Sequence, residues 1–411
     1  MAATPLSVSV VTDALKELYP EARNLNKAVY RKSPFLAAIR KDTKKLKSKS
    51  CVVPFRYARP QGASATFATG RTNMRPSAYA RVAVTGKNYY GFAQIDGEAI
   101  DRADGDPGSF AQEIKDEVDG TIYTVGRALA RFCFGNGGGS LGKISAASNP
   151  ATPTITLDQP ADIRWFEKGM VLAVSADDGT GGGGVRTGTV EVSKVDRGLG
   201  TITATGNWTA GIAAAVAGDF IFREGDYAGV LSGYEAWVPR SAPSATAFFG
   251  LDRTPDSRLY GVRADYSGVP IEEGLKRGAE LLTREGSDVD FACVSTVDFV
   301  ELELALGDKV RYSTMQAYDD ASIGFETISI TLAGKKVRIM ADADMPVNRC
   351  FMGQLDTWTL GSMGELIKLL DNDGNAVLRT GTTDGVELQI VSRSQLWCDM
   401  PGWNGNFAIG S

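Results

Sequence analysis

The chain has 411 residues, 43% hydrophobic and 23% charged, enough for about two or three domains with a sizeable core. A net charge of −5 argues against general attraction to nucleic acid, and no apolar run approaches membrane-spanning length. Histidine is absent, which removes His-dependent triads, general bases and metal ligands.

Cys51, Cys133, Cys293, Cys350 and Cys398 are odd in number and scattered, as expected of reduced, buried thiols in a cytosolic product. The N-terminus has no basic stretch followed by an apolar one, so no signal peptide is expected. Residues 1–50 read as an extended arm with short helices. Ser9–Tyr19 has a helical pattern (Val10, Ala14, Leu15, Leu18), and Ala22–Ala38 holds a second, broken at Ser33-Pro34. Arg40–Ser50 carries six basic residues and one acid. Such a run is a solvated linker or a contact with nucleic acid or an acidic partner.

Residues 51–100 alternate. Val53, Phe55 and Tyr57 face one way; after a tip at 61–77, Val82, Val84 and a return strand through Tyr89–Ile95 complete a long two-stranded excursion. Such a hairpin is marginal alone and needs a neighbour to lie on. The clearest helix spans Asp106–Gly135, where Phe110, Ile114, Val118, Ile122, Val125, Leu129 and Phe132 form one apolar stripe. Asp106, Glu113, Asp116, Glu117 and Asp119 crowd its first half, and Arg127 and Arg131 lie near its end, an order that suits the helix dipole. Gly120 and Gly126 weaken it in isolation, so a surface packed along its length is expected.

Gly137–Lys143 nearly matches a phosphate-cradling loop, but Ile144 replaces the hydroxyl residue and no strand precedes it, so it reads as a flexible connector. From 152 to 228, short strands alternate with Gly-rich turns at the spacing of a small β-barrel. Gly179–Gly184 contains G-x-G-x-x-G with no helix after it, hence a hairpin loop. In 229–355, helix Ile271–Arg284, strand Asp290–Val294, helix Thr296–Leu306 (Val297, Val300, Leu304 on one face) and a hairpin across Ala333-Gly334 make an α+β layer. Strands Leu366–Leu370, Ala376–Arg379 and Val386–Trp397 close the chain. Asp371–Gly374 lacks the glycine and glutamate of a calcium loop and reads as a turn.

This order of parts resembles the major capsid proteins of tailed bacteriophages, the Hong Kong 97-like fold. The resemblance is carried by LYPEARNLNKAVYRKSPFLAAI (18–39), CVVPFRYARPQG (51–62), ARVAVTGKNYYGFAQI (80–95), DFACVSTVDFVELELALG (290–307), ISITLAGKKVRIMADADMPVNRCFMGQLDTWTLGSMG (328–364) and ELQIVSRSQLWCDMPGWNG (387–405). It implies an α+β chain with an N-terminal arm (1–50), an E-loop (51–104), a peripheral domain (105–151 and 356–411) around the spine helix, and an axial domain (229–355). An inserted barrel would occupy 152–228. It further implies self-assembly into hexamers and pentamers of an icosahedral head, a virion component assembled in the host bacterial cytoplasm around double-stranded DNA. A portal, and in some members a decoration protein, would be partners. The arm begins almost at Met1, so a separate scaffolding protein is expected. The tip from Arg59 to Arg81 has no lysine, so the family's lysine–asparagine cross-link is not expected from it.

On this reading Leu15, Leu18, Val29, Phe35 and Leu36 are buried against neighbouring subunits. Arg71 and Arg75 pair with Glu113, Asp116 and Glu117 of a neighbour, and Lys44, Lys45, Lys47 and Lys49 face DNA or scaffold. No catalytic site, cofactor, metal site or membrane contact is expected. The acid pairs Asp177-Asp178, Glu272-Glu273 and Asp319-Asp320 are adjacent in sequence, so their side chains point apart. The competing reading is a carbohydrate-binding or hydrolytic protein acting through the barrel, with Trp165, Phe166 and Trp208 stacking on a sugar.

Overall fold

The computed structural model describes residues 30–31, 33–47, 50–96, 107–307, 312–316, 324–370, 377–379 and 385–410. Its 28-residue helix, Pro107–Phe134, is the predicted rod less one residue at each end. Val118, Ile122, Val125, Leu129 and Phe132 are buried along one face, while Asp116, Glu117 and Asp119 are exposed. The side chains of Phe110, Glu113 and Ile114 lie outside the described set. The strand Lys87–Asp96 packs on the helix at Gly91. A Cβ there would come within 2.5 Å of Val125 Cγ2, so glycine is what permits the approach.

That strand corrects the sequence reading. It does not return along the excursion but pairs over ten positions with the closing strand Gly385–Cys398. The same six-stranded sheet takes Trp358–Ser362, Lys368–Leu369 and Val377–Arg379 on the closing strand. Arg40–Asp42 joins it parallel to Trp358–Ser362. The excursion itself is Cys51–Ala58 paired with Ala78–Val84. Its alternation has the expected consequence: Val53, Phe55, Ala80, Val82 and Val84 enter the main core while Val52, Arg56, Tyr79 and Arg81 face out. The base of the hairpin is therefore supported by its own chain, while the tip at 59–76 is largely exposed.

The arm needs a larger correction. Pro34–Ala38 is a short helix capped by Ser33, whose Oγ accepts from Leu36 N. Phe35 and Leu36 are 0% exposed inside this chain. Phe35 lies 5.2 Å from Phe134, 6.0 Å from Phe291 and 6.3 Å from Trp358, centroid to centroid. They are core residues, not contacts with a neighbour. The arithmetic of burial explains it: an aromatic side chain surrounded by its own core has no surface left to offer. Leu15, Leu18 and Val29, the Ser9–Tyr19 helix, the beginning of the second helix and the Asp371–Gly374 turn lie outside the described residues.

Residues 141–223 form a six-stranded sheet in the order Gly142–Lys143, Phe220–Arg223, Val171–Ser175, Val190–Asp196, Thr201–Ala204, Thr154–Thr156. A bridge between Ile144 and Leu157 brings the two edges together around a separate core that includes Leu172, Val174, Ile202 and Trp208. The unit starts about ten residues before the expected 152, because Leu141 and Ile144 belong to that core. Gly137–Lys143 is thus no flexible connector. A Cβ on Gly138 would lie 2.0 Å from Asp178 O, and one on Gly179 (φ +89°) 2.2 Å from Gly138 O. The two glycine-rich stretches that imitate phosphate loops pack backbone against backbone. Asn136 Nδ2 donates to Asp178 Oδ2 (2.7 Å), and the Asp177 carboxylate accepts from Gly179 N, Gly183 N and Tyr227 Oη.

The remaining layer is a seven-stranded sheet in the order Val262–Asp265, Gly405–Ala408, Arg349–Gly353, Phe291–Ser295, Lys335–Asp342, Gly324–Leu332, Tyr312–Gln316. Ile271–Arg284 packs on it through Leu275, Ala279 and Leu282. Thr296–Leu306 has the expected bounds, and the face shared by Val297, Val300 and Leu304 is the one turned to solvent. Leu302, Leu306 and Asp298 are buried, while Val297, Val300 and Leu304 are exposed. Asp298 is drawn inward because its carboxylate accepts from Ser295 Oγ (2.8 Å) and from Asn348 N (3.0 Å).

Candidate assembly surface

The hairpin and its tip concentrate one sign of charge. Residues 51–95 contain Arg56, Arg59, Arg71, Arg75, Arg81 and Lys87 and no acidic residue, in a chain whose net charge is −5. All five arginines are exposed, and among the described residues none forms an ion pair. The tip is shaped despite its exposure. Gln61 and Arg75 exchange backbone hydrogen bonds of 3.0 and 2.8 Å, closing a loop that holds the short helix Phe67–Thr72. Thr66 Oγ1 donates to Thr69 Oγ1 at 2.7 Å. Phe67 (85% exposed), Met74 (68%) and Tyr79 (63%) stand out from it. An ordered projection of arginine and large apolar side chains fits an acidic surface with apolar contacts at its centre.

Asp116, Glu117 and Asp119 supply an exposed acidic surface on the long helix. Within one chain the structure does not pair Arg71 or Arg75 with it. Lys44 and Lys45 are exposed, but the run is no slack linker. The amides of both donate to Asp42 Oδ1, Lys45 Nζ is 3.6 Å from Asp42 Oδ2, and Leu46 is buried. The side chain of Lys47 and all of Lys49 lie outside the description.

The barrel aromatics do not form a sugar platform. Trp165, Phe166 and Trp208 are 6%, 0% and 0% exposed, and Trp208 Nε1 donates to Pro153 O. The stacking role expected of these three rings therefore fails, since stacking requires an open ring face. Trp165 is covered by the guanidiniums of Arg127, Arg131 and Arg164, at 5.3, 5.3 and 4.7 Å from its ring. The cleft between the long helix and the barrel encloses about 40 Å³, room for a water or two. Ser140 and Lys143 have Ser-x-x-Lys spacing, yet Ser140 Oγ donates to Gly142 O and Lys143 Nζ lies over the Phe220 ring. Burial pushes the thiols of Cys133, Cys293, Cys350 and Cys398 up, away from nucleophilic thiolates.

Sequence reasoning missed one cluster. Arg127 and Arg131 of the long helix, Asp162 and Arg164 of the barrel unit, Glu235 and Arg240, and Asp342 and Asp344 meet where the layers join. The signal available was the i, i+4 arginine pair Arg127 and Arg131, which lines the same cleft as Ala128 and Phe132.

Against known proteins, no family profile and no curated sequence matches the chain. Solved structures do match. The chain is similar to capsid structures. The cyanophage A-1(L) capsid asymmetric unit aligns over 92% of each chain at 12% identity with a TM-score of 0.48. A structure from Mycobacterium phage Bobi aligns over 92% of this chain and 91% of its own at 11% identity and 0.44. The capsid of a native GTA particle aligns over 92% and 90% at 9% identity and 0.44.

Proposed function

We propose that the chain is a structural, non-enzymatic capsid protein of Hong Kong 97-like fold. Copies of it assemble into hexamers and pentamers of an icosahedral phage head that encloses double-stranded DNA. The observation that carries the proposal is the hairpin tip: ordered, acid-free, arginine-rich, apolar at its crest, and exposed, with no ion pair to its arginines among the described residues. Such a surface is costly in a monomer and useful in a closed assembly, where symmetry repeats one complementary contact many times. In this reading Arg71 and Arg75 of one subunit meet Glu113, Asp116 and Glu117 of the next.

With the barrel's start moved to Leu141, Lys87–Asp96 assigned to the closing strand's sheet and Gly405–Ala408 to the seven-stranded sheet, the proposed parts are an arm (1–50), an E-loop (51–86) and a peripheral domain (87–140 and 356–404), with an inserted barrel (141–228) and an axial domain (229–355 and 405–411). Leu15, Leu18 and Val29 of the arm reach neighbouring subunits. Lys44, Lys45, Lys47 and Lys49 face packaged DNA or a scaffolding protein. A portal and a decoration protein complete the virion, which assembles in the host bacterial cytoplasm. The test is direct imaging of purified protein beside the variant Arg71→Glu with Arg75→Glu. Shells or capsomers from the parent and their loss in a still-folded variant support the reading; monomers from both overturn it. Changing the four lysines to Gln should impair packaging or scaffold recruitment without unfolding the chain, and normal packaging and recruitment would remove them from the inner contact.

A further inference from the structure

The buried charge cluster joins three parts of the molecule, and the seat of the arm hangs on it. Asp342 ends the strand Lys335–Asp342 and is 0% exposed. Its Oδ2 accepts from Ser33 Oγ at 2.7 Å and from Phe35 N at 3.5 Å, and its Oδ1 from Asp344 N at 2.9 Å. Ser33 is itself 0% exposed and caps the helix Pro34–Ala38, so one carboxylate fastens the point where the arm enters the core. Asp344, 6% exposed, stands two residues on. It faces Asp342 and the guanidiniums of Arg127 and Arg131 from the long helix and Arg164 from the barrel unit. Arg164 Nη2 donates to Met345 O at 2.7 Å, and Arg127 Nη2 donates to Arg164 O, so the same turn holds the barrel unit to the body.

We propose that the Asp342–Asp344 pair is a proton-operated fastening that couples the seat of the N-terminal arm to the joint between the long helix and the β-barrel unit. The groups around it are accounted for on every side. Asp342 sees Ser33, Asp344, Arg164 and the thiols of Cys133 and Cys293. The arginines beside Asp344 also answer to Asp162, Glu235 and Arg240; Arg127 pairs further with Glu167 at 3.6 Å, and Arg240 lies near Asp178 and Arg349. Burial pushes the Asp342 carboxyl up to about 6, against the pull of its hydrogen bonds to Ser33, Asp344 and Phe35. Burial and then the Asp342 charge push Asp344 up to about 7, against the pull of Arg127, Arg164 and Arg131.

Both folded values lie above the unfolded carboxylate range near about 4. Between about pH 4 and pH 7 the folded state therefore holds protons that the unfolded chain has released, and acidification through this window tightens the joint. Rising pH places two ionised carboxylates in one buried turn and loosens it. The seat of the arm and the seat of the barrel unit then respond together, because one turn carries both.

The experiment is hydrogen exchange of the full chain at pH 5.5 and pH 8, corrected for intrinsic exchange. The amides to read are Leu36, Ala37 and Ile39, bonded to Ser33 Oγ, Ser33 O and Phe35 O. Protection should rise about tenfold or more on acidification, and the rise should vanish in Asp342→Asn with Asp344→Asn. Equal protection at both pH values, or a rise that survives in the double variant, overturns the proposal. If the double variant does not fold, carboxyl-carbon NMR of the parent decides. Resonances of Asp342 and Asp344 that titrate together near neutrality support the fastening, and independent titration near pH 4 refutes it. None of these readings depends on whether the chain forms a shell.

Discussion

Phe35 and Phe67 are both large apolar residues in the N-terminal part of the chain, and the structure assigns them opposite work. Phe35 is 0% exposed among Phe134, Tyr234, Phe291 and Trp358, so Phe35→Ala opens a cavity where four aromatic rings meet. A fully buried Phe→Ala change costs about 3–5 kcal/mol, the lost transfer energy plus the cavity. Phe67 is 85% exposed at the crest of the tip, and Phe67→Ala should change the stability of the unassembled chain by less than about 0.5 kcal/mol. The assay is denaturant unfolding of dissociated protein followed by Trp fluorescence, with reassembly scored separately by light scattering. Phe35→Ala should lower the unfolding midpoint strongly. Phe67→Ala should leave it in place and reduce reassembly. The same logic predicts that removal of residues 1–40, which takes away Phe35, Leu36 and Ile39, destroys the folded body. A folded 1–40 deletion, or a Phe35→Ala loss below about 1 kcal/mol, would refute this placement of the arm.

Other expectations follow from named contacts. Arg71→Glu with Arg75→Glu should weaken assembly more at low salt than at high salt, since exposed pairs are worth at most about 1 kcal/mol each and are screened; salt-independent loss would point to the apolar crest instead. Gly179→Ala should cost about 1–3 kcal/mol, because its Cβ would lie 2.2 Å from Gly138 O at positive φ, and no loss would mean the two glycine stretches do not touch. Replacing 141–228 with a short Gly/Ser bridge should leave a body that melts cooperatively with its own core, while the isolated segment should fold around Trp208; a body that fails to fold would make the barrel unit part of the main core.

Period and punctuation made the long elements legible. The long helix, the Ile271–Arg284 and Thr296–Leu306 helices and the hairpin across Ala333-Gly334 are local patterns, and they stand within a residue or a few of where periodicity puts them. What could not be read was which surface each pattern meets. Thr296–Leu306 offers Val297, Val300 and Leu304 as an apolar stripe, yet two hydrogen bonds to Asp298 turn that stripe outward. Lys87–Asp96 alternates like any half-buried strand, and nothing in that alternation says that its partner is the C-terminal strand Gly385–Cys398 instead of the hairpin beside it in sequence. The glycines of 137–143 and 179–184 looked like turns or ligand loops because a glycine chosen for contact with a distant backbone has no local signature. The charge cluster around Asp344 was invisible for the same reason, being assembled from segments far apart in sequence. The exposed arginines of the tip were legible, because the absence of any acid from 51 to 95 is a property of the sequence itself.

The measurement that bears most directly on the shell proposal is an electron micrograph of the purified full-length chain, with light scattering on the same sample. The account predicts closed shells or ring-shaped capsomers of many copies, and their disappearance in the Arg71→Glu, Arg75→Glu variant while its circular dichroism is unchanged. A uniform population of 43.7 kDa monomers across protein concentration and salt would contradict it.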